Sequence, residues 1–479
     1  MEIKRIELEL ARWKKSIKRK IMLDGERYYR GEHDILKRKR TVIGKNGKLE
    51  EVQNLPNNKI VDNQYAKMVD QKVNYLMGKP LTFDTEDESY EKELLSIFNM
   101  RSHRLLQNIA ENSLNCGLGY IHPHYDEEGN FKFKRFEPYE ILPFWKDAEH
   151  TVLDFVVRLY EVEDVEENQG VNYKVVEKVE IYYKDRVEKY FLDGNVLKED
   201  KDEQGKHIYN HININNGDKC DTYAWDKVPI IPFKYNSREI PLIVKVKSLQ
   251  DAINIMLSDF QNHMQEDSRN TILIIKNYDG TNLDEFRHNL ATFGAVKVRS
   301  SDGSQGGVDA LRIEVDSENY KSILNLLKKS LTENAMGYDG KDDKLSGNPN
   351  QMNIKSMYSD IDLDANRMET EFQASFEDLL WFVNAHLNNS GKGNFIDTKV
   401  NVIFNRDIMM NETEVIENCQ KSVGILSDET IISNHPWITD VKVELKRIES
   451  QKQNDIDQYG FNNAEEIEEW VIGKKDLSN

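Results

Sequence analysis

Pro241-Leu-Ile-Val-Lys-Val-Lys-Ser-Leu-Gln-Asp-Ala-Ile-Asn-Ile-Met-Leu-Ser-Asp-Phe-Gln-Asn-His-Met-Gln-Glu-Asp267 is the stretch from which the fold is read. Its apolar groups Leu242, Val246, Leu249, Ile253, Leu257, Phe260 and Met264 fall at steps of three and four. Sustained that far, the spacing predicts one long helix with a single buried stripe. Beyond it, Thr271-Ile-Leu-Ile-Ile275, Ala295-Val-Lys-Val298 and Leu311-Arg-Ile-Glu-Val315 predict three short strands, with a small helix near Leu283–Leu290. Ser317 is a good N-cap for a second helix, which carries Tyr320, Ile323, Leu324, Leu327 and Leu331 to Gly337. A polar loop follows, Tyr338-Asp-Gly-Lys-Asp-Asp-Lys-Leu-Ser-Gly-Asn-Pro-Asn350. The longest helix comes next, with Ile354, Tyr358, Ile361, Ala365, Met368, Phe372, Phe376, Leu379, Val383 and Leu387 on one stripe. At 1.5 Å per residue it spans roughly 50 Å.

Working outward, residues 120–234 read as an antiparallel sheet region. Runs such as Leu153-Asp-Phe-Val-Val-Arg-Leu-Tyr160 and Val179-Glu-Ile-Tyr-Tyr183 alternate with turn residues such as Asp193-Gly-Asn195. Ahead of them, Ile3–Ile21 predicts one basic amphipathic helix with Ile6, Leu10, Trp13 and Ile17 on a stripe. Residues 62–77 predict a helix stopped by Gly78 and Pro80, and residues 90–115 one or two more, ending at Gly117. After Ser390, Lys399–Phe404 predicts a strand, and Glu412–Val423, the segment capped by Ser427, and Val441–Ile448 predict helices. The fold class is α+β, mainly helical.

Composition narrows the function. Of 479 residues, 38% are hydrophobic and 31% charged, which suits an elongated subunit with large interfaces better than a compact enzyme. No run approaches the roughly 20 apolar residues that span a bilayer. The first residues, Met1-Glu-Ile-Lys-Arg5, lack the apolar centre of a signal peptide. Cys116, Cys220 and Cys419 are odd in number and far apart, so a reducing cytoplasm is the expected setting. Net charge is −19, yet residues 1–50 hold 16 Lys/Arg against 8 Asp/Glu. The remaining residues are strongly acidic, so no broad basic surface is available to grip nucleic acid.

Catalytic patterns are missing. No Gly-Lys-Ser/Thr follows the glycines Gly340 and Gly347, so there is no phosphate-cradling loop. Gly117-Leu-Gly119 lacks a third glycine and a preceding strand. His122-Pro-His124 could ligate a metal with Asp126 or Glu127, but a surface strand explains it as well. Glu86-Asp-Glu88 and Asp164-Val-Glu-Glu167 read as solvated loop acids rather than a two-metal nuclease site. The run Leu36-Lys-Arg-Lys-Arg40 reads more simply as a solvated loop or helix end than as a nucleic-acid contact. No cofactor is implied. The 338–350 loop reads most simply as a flexible helix–helix connection, although it is long for one, which leaves room for a role.

Tyr28-Tyr-Arg-Gly-Glu-His-Asp-Ile-Leu36 and Asn58-Lys-Ile-Val-Asp-Asn-Gln-Tyr-Ala-Lys-Met-Val-Asp-Gln-Lys-Val-Asn-Tyr-Leu-Met-Gly-Lys-Pro80 resemble the N-terminal signature of portal proteins from tailed bacteriophages of Gram-positive hosts. Tyr278-Asp-Gly-Thr-Asn-Leu-Asp-Glu-Phe286, Ser356-Met-Tyr-Ser-Asp-Ile-Asp-Leu-Asp-Ala-Asn366 and Ser427-Asp-Glu-Thr-Ile-Ile-Ser-Asn-His-Pro-Trp437 resemble later segments of that family, in the same order. The resemblance implies a ring of about twelve copies at one capsid vertex, made in the host cytoplasm and carried in the virion. It implies a wing (1–237, completed by 351–410 with the long tunnel helix and a strand), stem helices (238–268 and 317–337), a clip (269–316), a tunnel loop (338–350) and a crown with tail (411–479). Lys341, Lys344, Ser346, Asn348 and Asn350 would face double-stranded DNA in the channel. Tyr278, Asp279, Asn282, Asp284 and Glu285 would lie on the clip, towards the terminase large subunit and then the head-completion adaptor. Major capsid and scaffold proteins would be further partners, and no membrane is involved. Two rivals stand beside this reading: a similar ring in a DNA-free contractile particle, and a packaging-motor enzyme, which would need the motifs not found above.

Overall fold

The computed structural model describes residues 2–43, 47–51, 55–126, 128–166, 172–216, 219–267, 272–276, 307–311, 317–339, 351–406, 412–438 and 441–459. The chain forms two compact units, Met1–Gly337 with Ile361–Asp407, and Tyr338–Asp360 with Ile408–Asn479.

The N-terminal stretch is two helices, α1 (Glu2–Lys14) and α2 (Ile17–Tyr29), not one. Ser16 breaks them apart. Its backbone is extended and its hydroxyl accepts from the Arg19 N–H at 3.1 Å, which starts a new helix in a new direction. Ile6, Leu10 and Trp13 are buried as the stripe predicts, but Ile17 lies past the break and is 77% exposed. α3 (Gln64–Met77) is capped by Asn63, α4 (Glu88–Ile97) by Asp87 and α5 (Met100–Cys116) by Asn99. Gly117 ends α5 at φ 88°, and a Cβ there would sit 2.3 Å from the Glu239 carbonyl oxygen, so only glycine fits.

The strands 141–145, 153–166, 172–182, 187–193 and 196–199 form an antiparallel meander, with 208–209 added beside 187–193. Period-two alternation gives the meander two apolar faces. Phe155, Val157, Leu159, Val179 and Ile181 face one way and bury Ile6 and Leu10 of α1. Val156 and Tyr182 face the other way, into a cluster with Trp13, Met22, Tyr120 and Phe136. Each fully buried side chain of this kind contributes roughly 1.5–3 kcal/mol before chain entropy is subtracted. A three-stranded sheet (231–234, 118–125, 131–136) lies among the helices.

α6 (Ile243–Asp267) and α7 (Ser317–Asn334) pack on each other, with the Phe260 and Tyr320 rings 5.0 Å apart. Between them, strand 272–276 pairs antiparallel with 307–311. The strand expected at 311–315 lies outside the described residues past Leu311; the described partner of 272–276 runs from Gly307 to Leu311. The helix expected at 283–290 and the strand at 295–298 lie outside the described residues. α8 (Gln351–Asn389) has 39 residues, about 58 Å at the standard rise and longer than predicted. Its stripe is buried through Leu387, and Phe372 and Phe376 meet Phe233 edge-on at 5.1 and 5.5 Å. Strand 401–403 pairs with 82–84, a short partner that its sequence does not announce. In the second unit, α9 (Glu412–Lys421), α10 (Asp428–Ser433) and α11 (Val441–Tyr459) follow, and Ser427 caps α10 as expected. No helix among the described residues is long and apolar enough to cross a membrane.

Candidate functional site

The sequence stripe on α6 is only half right. Leu242, Val246 and Ile253 are buried, but Leu249, Leu257 and Phe260 are half-buried and Met264 is 51% exposed. The fully buried face of the second half is polar. Gln250, Asn254, Ser258 and Asn262 recur every fourth residue and are at most 1% exposed.

These side chains hold an extended segment. The Asn58 N–H donates to Asn262 Oδ1 at 2.7 Å, the Ile60 N–H to Ser258 Oγ at 2.9 Å and the Asp62 N–H to Asn254 Oδ1 at 3.0 Å. The match is geometric: four helical residues rise about 6 Å, and two extended residues advance about 6.6 Å. A helix face thus takes the place of a neighbouring strand and pairs every second N–H. Gln250 closes the ladder. Its Oε1 accepts from the Tyr65 N–H (2.9 Å), one of the orphan donors at the start of α3, and its Nε2 donates to the Asp62 carbonyl (2.7 Å).

The Tyr28–His33 motif adds a second layer. Asn254 Nδ2 lies 2.7 Å from His33 Nδ1, and His33 Nε2 lies 2.9 Å from the Tyr28 carbonyl. With an amide donor on one nitrogen, the ring proton belongs on Nε2. Burial pushes the His33 pKa down, which keeps that neutral form. Lys247 Nζ reaches Asp34 (2.6 Å), Asp251 (2.9 Å) and the Tyr28 hydroxyl (2.9 Å). Burial would raise Asp34, but Arg27 and Lys247 hold its carboxyl well below the usual range. Burial and the Asp251 carboxylate together push the Tyr28 hydroxyl up, so it stays protonated as a donor.

A third contact ties in α7 and α8. Lys72 of α3, 4% exposed, donates to Asp364 Oδ2 at 2.6 Å and to the Met336 carbonyl at 3.1 Å. Tyr235 donates to the same carboxylate oxygen at 2.7 Å. Met336 sits at φ 53°, a conformation that costs a non-glycine residue about 1–3 kcal/mol unless its surroundings hold it. One buried ammonium therefore fixes the end of α7 and the body of α8. Beside it, Arg406 bridges Asp362 (2.6 Å) and Glu369 (2.5 Å) along α8.

The residues singled out from sequence fare as follows. Lys341, Lys344, Ser346, Asn348 and Asn350 lie outside the described residues, as do Tyr278, Asp279, Asn282, Asp284 and Glu285. The structure describes only what flanks them: Tyr338 and Asp339 after α7, and the strands 272–276 and 307–311. His122 and His124 form no metal-holding group with the described residues, and Glu127 lies outside them. His122 Nδ1 is against the Pro229 carbonyl (2.6 Å), burial drives its pKa down to about 3, and Asp126 is used in its own turn and by Lys132. No group of three or more His, Cys, Asp or Glu among the described residues could hold a metal. The basic run 36–40 makes protein contacts: Arg38 to Asp259, Lys39 to Glu51 and Arg40 to the Pro56 carbonyl. Sequence reasoning missed the ladder because it searched for apolar stripes. The polar stripe 250, 254, 258, 262 was the available signal.

The family model for phage portal proteins of the SPP1 Gp6-like type matches residues 10–458. The chain belongs to this phage portal protein family. It is 28% identical over 433 residues to the portal protein of Bacillus phage SPP1, covering 90% of this chain and 83% of that one. It is also 28% identical over 457 residues to the portal protein of Clostridium phage phiCD119, covering 91% and 95%. Portal proteins are structural components of bacteriophage capsids and of DNA packaging. The portal-like wording at 28–36 and 58–80 is the wording that builds the joint between the polar face of α6, the 58–65 segment and the Lys72–Asp364 pair: Tyr28, His33, Asn58, Asp62, Tyr65 and Lys72 all take part in it.

Proposed function

We propose that the chain is one subunit of a dodecameric portal ring at a single capsid vertex, forming the channel through which double-stranded DNA is packaged and ejected. The observation that carries this is the family match from residue 10 to residue 458, which runs through every proposed part: wing, stem, clip, tunnel loop and crown. Within that reading the stem is 238–268 with 317–337, and the clip, 269–316, docks the terminase large subunit and later the head-completion adaptor. Capsid and scaffold proteins meet the ring in the host cytoplasm, where the virion is assembled.

The charge suits such a channel. A net −19 per subunit makes a wall that repels phosphate, so that a duplex slides rather than binds by counterion release. Lys341 and Lys344, near three aspartates in the 338–350 loop, supply brief phosphate contacts against that background. The chain contributes geometry, and the free energy for DNA movement comes from a partner enzyme.

Negative-stain microscopy and native mass spectrometry of the purified chain test the ring. Closed twelve-fold rings with a central channel are expected. A chain that stays monomeric at all concentrations, with and without scaffold protein, overturns the proposal. For the loop, the Lys341→Ala/Lys344→Ala double variant is expected to slow packaging in vitro. Wild-type rate and yield would remove these two lysines from the mechanism.

A further inference from the structure

The helices of the second unit bury little of their own apolar surface. Among the described residues from 412 to 459, only Cys419 is buried. The turn that joins α9 to α10 is the extreme case. Val423, Ile425 and Leu426 are 66%, 79% and 51% exposed. This turn is not slack. The Ile425 and Leu426 N–H groups both donate to the Ser422 carbonyl at 3.1 Å, Val423 forms a bridge with Leu426, and Gly424 supplies the positive φ of 80°. Three apolar side chains held outward on a fixed backbone mark a surface that something covers.

Charge selects the cover. Asp428 and Glu429 follow the turn, both exposed, and neither has an ion-pair partner among the described residues. Lys421, just before the turn, is held by Glu417 at 3.3 Å. The turn is therefore an apolar knob with an acidic flank. On the same unit α11 presents the converse. Val443, Lys446, Arg447, Ser450, Gln451 and Asn454 line a shallow open groove of about 420 Å³ along one face of that helix, and all six are exposed. The charged groups on this face are cations. Glu444, at its edge, is held by Arg447 at 3.2 Å, and helical rotation turns Glu449 away from it. Knob and groove are both uncovered, so they do not meet within one chain.

We propose that the 423–426 turn of one copy docks on the 443–454 face of α11 in a second copy. Val423, Ile425 and Leu426 cover Val443 and the aliphatic stems of Lys446 and Arg447, while Asp428 and Glu429 meet the two cationic heads. The two surfaces differ, so the contact is head-to-tail. Each copy uses its knob on one neighbour and its groove on another, which builds a closed ring or an open chain. A symmetric knob-to-knob pairing buries the same apolar groups but brings Asp428 and Glu429 of both copies together. A foreign partner of either charge satisfies one surface and leaves the other bare. The contact deepens the ring reading and rests on it for closure.

The test uses the full chain with a benzophenone amino acid in place of Ile425. It is mixed before assembly with isotope-labelled chain, irradiated and read by peptide mass spectrometry. Cross-links from position 425 to α11 of the labelled chain are expected. Lys446→Glu/Arg447→Glu in the labelled chain should cut their yield at least fivefold, and Asp428→Lys/Glu429→Lys in the benzophenone chain should restore it. Asp428 and Glu429 lie in the first turn of α10, where a reversal can fray the helix. If circular dichroism shows that loss, the Lys446→Glu/Arg447→Glu arm is read alone. Three results overturn the contact: cross-links confined to one chain, cross-links to residues outside α11, or a yield that the reversals do not move. Closed rings whose position-425 cross-links fall outside α11 overturn this contact and leave the ring reading standing. A chain that stays monomeric at all concentrations overturns both.

Discussion

The meander at 141–199 and the joint at α6 solve the same problem with opposite materials. In the meander, burial is apolar: Val156, Val157, Val179 and Ile181 are fully buried, and the backbone pairs with neighbouring strands. In the joint, the buried face of a helix is Gln, Asn, Ser and Asn, and its side chains pair with the backbone of 58–65. Apolar packing is tolerant, since any side chain of suitable volume serves. A polar ladder is not. Each buried donor needs one acceptor at one place, so a slip of half a rung leaves several unpaired. The meander supplies cohesion, and the joint fixes the register of α6 against the N-terminal helices.

This contrast is broken or sharpened by four measurements. The largest effect is expected at Lys72→Met, which strands the buried Asp364 carboxylate and frees the Met336 carbonyl. Chemical denaturation should report a loss of about 3–5 kcal/mol. A loss under 1 kcal/mol would mean that the pair does not hold the end of α7. Next, Asn254→Ala/Ser258→Ala orphans the Asp62 and Ile60 N–H groups and should cost about 3 kcal/mol, with faster hydrogen exchange at both amides. Unchanged exchange there would sink the ladder as a register lock.

Acid should weaken the meander's surroundings through His122. Burial lowers its pKa to about 3, while an unfolded histidine titrates near 6.5. The unfolded chain therefore binds the proton first as pH falls, and the stability is present above about 6.5 and lost on the way down. At pH 5 the loss from this residue is about 2 kcal/mol, and His122→Asn should flatten the slope of melting temperature against pH between 7 and 5. An unaltered slope would assign acid sensitivity to other groups, His211 among them, whose pKa burial lowers to about 4. The smallest effect is Ile181→Val in the sheet, about 0.5–1.5 kcal/mol with no change in exchange at Ile60 or Asp62. Coupling between the two regions would appear as a change at those amides.

Sequence reading succeeded where one residue type or period has one physical meaning. Ser427 and Gly117 mark helix ends, the stripe from Ile361 to Leu387 is buried, and alternation from Leu153 to Tyr160 divides two faces. It failed at Ile17, because a serine in the middle of an amphipathic run can point outward or cap a new helix. It failed in the second half of α6 as well. Asparagine and serine on a helix are ordinarily solvated, and nothing local says that a segment 192 to 204 residues earlier will cover them. Strand 82–84 is also invisible locally, since its partner is at 401–403.

The sequence by itself determined the element order, the mixed helix-and-strand class and the portal resemblance, since periodicity, capping residues and local wording are properties of short windows. Only the tertiary structure decided that a polar helix face would be buried, that Lys72 would be enclosed against Asp364, and that Val423, Ile425 and Leu426 would stand uncovered. The physical reason is that burial and pairing belong to atoms brought together across the chain: an amide of residue 254 is solvated or buried according to what residue 62 does.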